Sequence, residues 1–417
     1  MDNRQLNPAG LGNWRTRPYH RQWLMAQANN LFDYFQTRAV HAGGGFIDLD
    51  PYGKPINPEN PVRPIHGTAR MVHCFAVASL LGRPGADDIV DHGMRYIWEQ
   101  HRDQQYGGYV WSLDNDGPRD DTKQGYGHAF VLLAASSAKV VGHPLADRML
   151  ADITEVLEQR FWEDRHGAIA EEFSRDWVAV PNYRGQNSNM HLTEALMAAF
   201  EATGDRSYLD KAERIADLII RRKAGELGFR VGEHFDTDWQ LDRDYQGSEM
   251  FRPSGLTPGH WLEWARLTLQ LWVLGGKAHD WMPVAAAALF RNAIELGWDK
   301  AKGGFFYNLD LDNQPIMRHK LWWPASEAIG AAVFLEDYQP SNFHEEWYRR
   351  VWSTIAQRFL DHENGGWYEE LSEDMQPSHK LFAGKADIYH AVQACLIPLF
   401  PATGSLSKAI IDARGQF

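Results

Sequence analysis

Two patterns alternate along the chain. Long stretches carry apolar residues at i, i+3, i+4 and i+7, the spacing of one helix face. Between them, short runs of alternating apolar and polar residues end in Asp, Asn or Gly, as tight hairpins do. The hairpin motif occurs six times, beginning Gly44-Gly45-Phe46, Gly107-Gly108-Tyr109, Gly167-Ala168-Ile169, Gly228-Phe229-Arg230, Gly303-Gly304-Phe305 and Gly365-Gly366-Trp367. From Gly45 through Gly108, Gly167, Gly228 and Gly304 to Gly366 the steps are 63, 59, 61, 76 and 62 residues. A recurring step of this kind marks one supersecondary unit used repeatedly.

Two helical patterns fall in each period. They predict helices near 20–39, 64–81, 86–101, 122–141, 145–160, 187–203, 206–223, 258–275, 282–297, 320–338, 344–360 and 384–399. The breakers Gly82-Arg83-Pro84-Gly85, Gly142-His143-Pro144 and Gly204-Asp205 join neighbouring helices by tight turns, giving antiparallel pairs. Six such pairs predict an all-α fold, an (α/α)6 barrel with short β-hairpins rimming one mouth. An open solenoid would need atypical capping repeats, and none stands out. No Gly/Ser linker or low-complexity run divides the 417 residues, so a single domain over 1–417 is expected.

Polar residues distinguish the even-numbered helices. Each carries, near its start, groups costly to bury in an apolar pattern. These are His66 and Arg70, then Gln124, Tyr126 and His128, then Asn187, His191 and Glu194, then His260 and Glu263, then Trp323 and Glu327, and last Asp387 and His390. The even helices are therefore expected to form an inner ring, their positive N-termini converging on one pocket. In Thr257-Pro258-Gly259-His260-Trp261-Leu262-Glu263 the proline suits a first helical turn, and His260 and Glu263 share a face. His191 and Glu194 repeat that spacing. The expectation is that such glutamates orient the histidines, and that the pocket stabilises a developing oxyanion.

Each residue taken alone also has an ordinary structural reading. His260 reads as a core or capping histidine, Glu327 as an acceptor for a neighbouring helix, and Arg70 as a partner for helix-end carbonyls. Tyr126, Trp264 and Trp323 read as core aromatics. His73, His92, His101 and His143 read as structural or surface. The repeated His/Glu pair is what favours a shared site.

Charge and composition narrow the function classes. A net charge of −13 argues against nucleic acid or an anionic membrane as partner. No run reaches the roughly 18 apolar residues of a membrane span, and Met1-Asp2-Asn3-Arg4-Gln5 has no apolar signal core. A cytoplasmic location is expected. Cys74 and Cys395 cannot build a disulfide framework and sit in apolar helical patterns, as buried thiols do. Seventeen tryptophans suit a large aromatic core and, in part, stacking on sugar C–H faces. Two His-x-x-Glu motifs raise the question of a dinuclear metal site, but the spacing is not that of His-Glu-x-x-His. No metal is expected. Without a Gly-x-Gly-x-x-Gly or phosphate loop, no nucleotide cofactor is expected either.

Seven motifs together carry a family resemblance. They are Thr68-Ala69-Arg70-Met71, Lys123-Gln124-Gly125-Tyr126, Asn187-Ser188-Asn189-Met190-His191, Glu233-His234-Phe235-Asp236, Thr257-Pro258-Gly259-His260-Trp261, Trp323-Pro324 with Glu327, and Gly384-Lys385-Ala386-Asp387-Ile388-Tyr389-His390. Over nearly its whole length the chain resembles the N-acylglucosamine 2-epimerase superfamily, in its aldose–ketose isomerase branch. The resemblance implies the same barrel and a cofactor-free interconversion of an aldose and a 2-ketose through a cis-enediol. It implies that His260 and His390 are the acid/base pair. Arg70, Tyr126, Asn187, His191, Glu194, Glu263, Trp323 and Glu327 would line the sugar pocket, with Asp387 beside them. His390 would move the proton between C2 and C1, and His260 would serve ring opening.

Departures from the pattern bear on the substrate. Where a sulfonate-binding branch has an arginine and glutamines, this chain has Met250, Glu369 and Ala386. A neutral sugar fits better, so D-mannose and D-fructose are expected, with lyxose and xylulose as further monosaccharides and a monomer or homodimer as assembly. Arg252 stands near enough in sequence to leave an anionic group open. The alternatives are 2-epimerisation of mannose or a cellobiose-type disaccharide, sulfoquinovose isomerisation, and glycoside hydrolysis on the same barrel. Hydrolysis calls for two spaced carboxylates, whereas histidines dominate here.

Overall fold

The computed structural model describes residues 12–180, 182–248, 250 and 252–413. The first residues, on which the absence of a signal core was read, lie outside them. Thirteen α-helices are described: α1 Pro18–Arg38, α2 Ile65–Leu80, α3 Ala86–Tyr96, α4 Gly125–Val140, α5 Ala146–Val156, α6 Gln186–Thr203, α7 Arg206–Ala216, α8 Pro258–Leu274, α9 Trp281–Asn292, α10 Trp322–Tyr338, α11 Asn342–Thr354, α12 Tyr389–Leu396 and α13 Leu406–Asp412.

The even helices α2 to α12 pack in sequence, and α12 returns to α2. They are buried almost all round, as helices with neighbours on every side must be. The odd helices form the outer layer: α3 covers α2, α5 covers α4, α7 covers α6, α9 covers α8, α11 covers α10, and α1 covers α12. This is the expected (α/α)6 barrel. Five outer helices run on into a widened π turn, from Ile97–His101 to Ile355–Phe359, before the chain enters the hairpin. At each repeat the marking glycine has a left-handed backbone: φ is +70° at Gly45, +69° at Gly108, +71° at Gly167, +65° at Gly228, +76° at Gly304 and +71° at Gly366. Only glycine adopts this conformation freely, which explains why the motif repeats.

The hairpins close the ring. The residues just before each inner helix pair with the hairpin of the next repeat: Arg63 with Leu113, Lys123 with Phe173, Arg184 with Phe235, Leu256 with Leu309, and Lys320 with Leu371. The sixth link, Lys385 with Leu49, joins the last repeat to the first and rules out an open solenoid. At none of the six inner helices does the residue in the N-cap position make a side-chain cap bond. At four of them the first N–H instead donates to a carbonyl of the next hairpin, at Trp111, Glu171, Glu233 and Glu369, over 2.9, 2.8, 3.1 and 3.3 Å. Inner-helix starts are thereby fixed to the rim, where a substrate would enter.

One helix start lies well away from expectation, and one helix is additional. The helix predicted from 384 begins at Tyr389, because Lys385 is spent on the closing pair and Asp387 caps the start by accepting from the Tyr389 N–H at 2.9 Å. Asp387 therefore precedes α12 rather than standing on it. The terminal helix α13 had no counterpart among the twelve expected. Cys74 and Cys395 are buried and unpaired, as expected. Among the described residues no helix is long and apolar enough to cross a membrane.

Candidate active site

The first turns of the inner helices open onto one cavity. It is lined by Arg70, Tyr126, Asn187, His191, Met250, His260, Glu263, Tyr307, Trp322, Trp323, Phe382 and His390. Eight of these were expected from sequence. Three other predicted binding residues sit one layer behind: Glu327 and Asp387 hold His390 and Arg70, which face the cavity, whereas Glu194 bonds Arg266 and Tyr389, which do not line it. Asp387 pairs with Arg70 at 2.9 Å, and Arg70 also donates to the Tyr126 hydroxyl at 2.7 Å. The Arg70 guanidinium lies against the rings of Phe130 and Tyr389, 4.5 and 5.0 Å from their centroids. It is a fixed positive charge in the cavity wall.

The pairing of histidines and carboxylates corrects the expectation. Glutamates three residues along the same helix are not the partners. His260 Nδ1 lies 2.9 Å from both carboxylate oxygens of Glu233, a hairpin residue of the same repeat. The Gln186 amide donates to Glu233 at 2.9 Å, and its oxygen accepts from the Trp264 indole at 2.7 Å. His390 Nδ1 lies 2.8 Å from Glu327 on the neighbouring helix α10. In the His390 dyad the carboxylate contact assigns the proton to Nδ1 and leaves Nε2 as the basic nitrogen; His260 Nδ1 is shared between Glu233 and the Gln186 amide nitrogen, also at 2.9 Å. The Trp323 ring lies against both imidazoles, 5.0 Å from His260 and 5.8 Å from His390 by centroids.

Electrostatics favour an uncharged base beside an ionised partner. Burial lowers the His390 pKa, so the ring rests neutral. Burial alone would raise Glu327, but Arg266 and the His390 N–H outweigh it and bring its pKa to about 2. Glu233 is likewise held below the usual range by His260 and Gln186, against the effect of burial.

Behind the cavity lies a charged layer centred on Arg266, the one member that the sequence pattern did not single out. Arg266 meets three glutamates: Glu327 at 2.8 Å, Glu194 at 3.4 Å and Glu263 at 3.8 Å. Glu194 also accepts from the Tyr389 hydroxyl. His191 approaches Glu263 at 3.7 Å instead of pairing with Glu194. The side chains His191, Glu194 and Glu263, and likewise Glu263, Glu327 and His390, bring possible metal ligands within 4.8 Å of one another. Arg266 already supplies the cation these carboxylates need, so we assign none of them as a metal ligand.

Signals for the missed residues were present. Glu233 stands in its hairpin where Glu171 and Glu369 stand in theirs, and all three are buried. Glu263, Arg266 and Gln270 form a stripe at i, i+3 and i+7 along an otherwise apolar helix. Arg252, left open as an anion contact, instead pairs with Glu171 and Glu172 at 3.4 and 3.2 Å beside the cavity mouth.

Fold and site together define an (α/α)6-barrel pocket with two carboxylate-oriented histidines, an arrangement for acid–base chemistry on a small polar molecule. The comparisons with known proteins agree. The N-acylglucosamine 2-epimerase model matches residues 44–394, and the chain belongs to that family. It is similar to D-mannose isomerases of Pseudomonas cannabina pv. alisalensis (41% identity over 98% of this chain and 99% of the relative) and Thermobifida fusca (41% over 95% and 98%). A crystal structure of D-mannose isomerase superposes with a TM-score of 0.86 at 33% identity, covering 92% of this chain and 99% of that one.

Proposed function

We propose that this chain interconverts D-mannose and D-fructose without a cofactor, by moving one proton between C2 and C1 of the open-chain sugar. The observation that carries the reading is the pair of dyads, His260–Glu233 and His390–Glu327, whose histidines line one cavity and both neighbour Trp323. The similarity to D-mannose isomerases over nearly the whole of both chains supports it.

The geometry supports the following chemistry. A C2 proton next to the C1 carbonyl is weakly acidic, and a neutral imidazole is suited to remove it. His390 Nε2 takes that proton, leaving a cis-enediolate whose negative charge faces Arg70 and the positive helix ends. The imidazolium, held by Glu327, returns the proton to C1 and gives the ketose. His260, held by Glu233, moves protons at the oxygens in ring opening and in the enediol. Glu263, His191, Asn187 and Tyr126 hold the sugar hydroxyls, and Trp323 offers its ring to the C–H face. Product analysis on D-mannose tests the reading. Fructose is expected; glucose would mark a 2-epimerase, and no conversion would remove mannose as the substrate.

A further inference from the structure

Glu263 is the carboxyl group of the charged layer that has only long ion-pair contacts, with no hydrogen bond to its Oε1 among the described residues. Glu327 has two donors, Arg266 Nε at 2.8 Å and His390 Nδ1 at 2.8 Å. Glu194 has Arg266 at 3.4 Å and the Tyr389 hydroxyl. Glu263 Oε1 has no hydrogen-bond partner, although it is fully buried, and one Arg266 nitrogen is also unpartnered beside it. Its ion-pair neighbours, Arg266 at 3.8 Å and His191 Nδ1 at 3.7 Å, are beyond hydrogen-bond reach. One guanidinium thus faces three carboxylates, and two of them already hold its contacts.

We infer that Glu263 stands in the cavity as a neutral carboxylic acid and donates a hydrogen bond to the sugar oxygen that becomes negative in the enediolate. This rests on the isomerase reading and adds a role to it. An ionised, unsolvated carboxylate next to ionised Glu327 would be strongly disfavoured. Burial, then Glu327, push the Glu263 carboxyl well above the ordinary glutamate range, and Arg266 and Arg70 only partly oppose them. The other charged and titratable groups around it are Tyr126 on α4, Glu194 and His191 on α6, His260 on its own helix α8, Glu327 on α10, and His390 and Tyr389 on α12. Glu263 lines the same cavity as His390 and lies within 4.8 Å of the His390–Glu327 dyad by polar atoms. A neutral acid placed there can donate to an oxyanion, which a carboxylate cannot. Buried carboxylic acids are known to serve as oxyanion donors in this way.

The test combines a spectrum with a substitution series. Infrared difference spectra of the free protein, wild type against Glu263→Gln at neutral pH, should show a carboxylic-acid carbonyl band lost in the variant. Glu263→Gln keeps a neutral donor and should hold kcat within about tenfold, while Glu263→Leu removes the donor and should lower kcat by about 10²–10³-fold. Absence of the band overturns the proposal, and so does a Glu263→Gln variant as impaired as Glu263→Leu. The spectrum needs no substrate, so failure of the mannose reading would show separately, as a wild-type protein that yields no fructose.

Discussion

Glu327→Gln isolates the electrostatic part of the His390 dyad. The amide keeps the shape of the side chain and an oxygen able to accept from His390 Nδ1, and it removes one negative charge. When His390 takes up the C2 proton, its imidazolium faces the Glu327 carboxylate across a 2.8 Å contact. With charge centres about 4 Å apart and an effective dielectric near 20, the attraction is about 4 kcal/mol. Both groups are buried, 5% and 2% exposed, so little of this is screened by solvent. The amide hydrogen bond retains part of it. Arg266, whose Nε would then lose its carboxylate, adds some repulsion in the other direction. A loss of about 3–4 kcal/mol of transition-state stabilisation predicts kcat lower by about 10²–10³-fold. KM should change little, because Glu327 lies behind the cavity wall. The assay is the initial rate of fructose formation across a range of mannose concentrations, with circular dichroism confirming the fold. A kcat within about threefold of wild type, too small for a lost charge of that size, would refute the reasoning, as would a loss confined to KM.

The remaining predictions follow from the second dyad and the fold. His260→Ala should lower kcat on mannose by about 10²–10⁴-fold, measured by the same assay. Gly45→Ala should destabilise by at least about 1–2 kcal/mol, because φ is +70° and a Cβ would come within 2.7 Å of the Tyr96 ring; the urea midpoint reports it. Lys385→Met should cost about 3 kcal/mol by leaving buried Asp361 without the lysine 2.7 Å away, read by the same denaturation. Burial lowers His73, His101 and His128 to about 4, well below their unfolded value. The unfolded chain therefore binds more protons between about pH 6.5 and 4. Stability should be full above that window and fall as pH drops through it, by up to about 1.4 kcal/mol per pH unit for each histidine. Urea midpoints across the window check this.

The repeat, the helix pairs and the inner ring were legible because they rest on periodicity, and periodicity is local. Gly45 and its five counterparts mark the hairpins by backbone conformation alone. Closure was legible only as the absence of capping repeats; the pair that proves it, Lys385 with Leu49, spans almost the whole chain. That same pair displaced the start of α12 and left Asp387 ahead of the helix. The site was legible residue by residue but not in its pairings. His260 and Glu263 share a helix face, which suggested that they were partners. In the fold, a hairpin brings Glu233 closer, and α10 brings Glu327 to His390. Such contacts depend on how six helices turn about a common axis, which no spacing along one helix encodes. Arg266 was passed over for the same reason: its role appears only when Glu194, Glu263 and Glu327 converge on it from three helices.

The account stands most directly on the proton carried by His390. D-mannose incubated in D2O with the wild type, His260→Ala and His390→Ala, and followed by NMR, decides it. With the wild type, the C2 hydrogen should be lost as fructose forms, with deuterium entering C1 in competition with direct transfer. With His390→Ala, the C2 hydrogen should remain on mannose. Continued loss of that hydrogen in His390→Ala, at a rate near that of the wild type, would contradict the account.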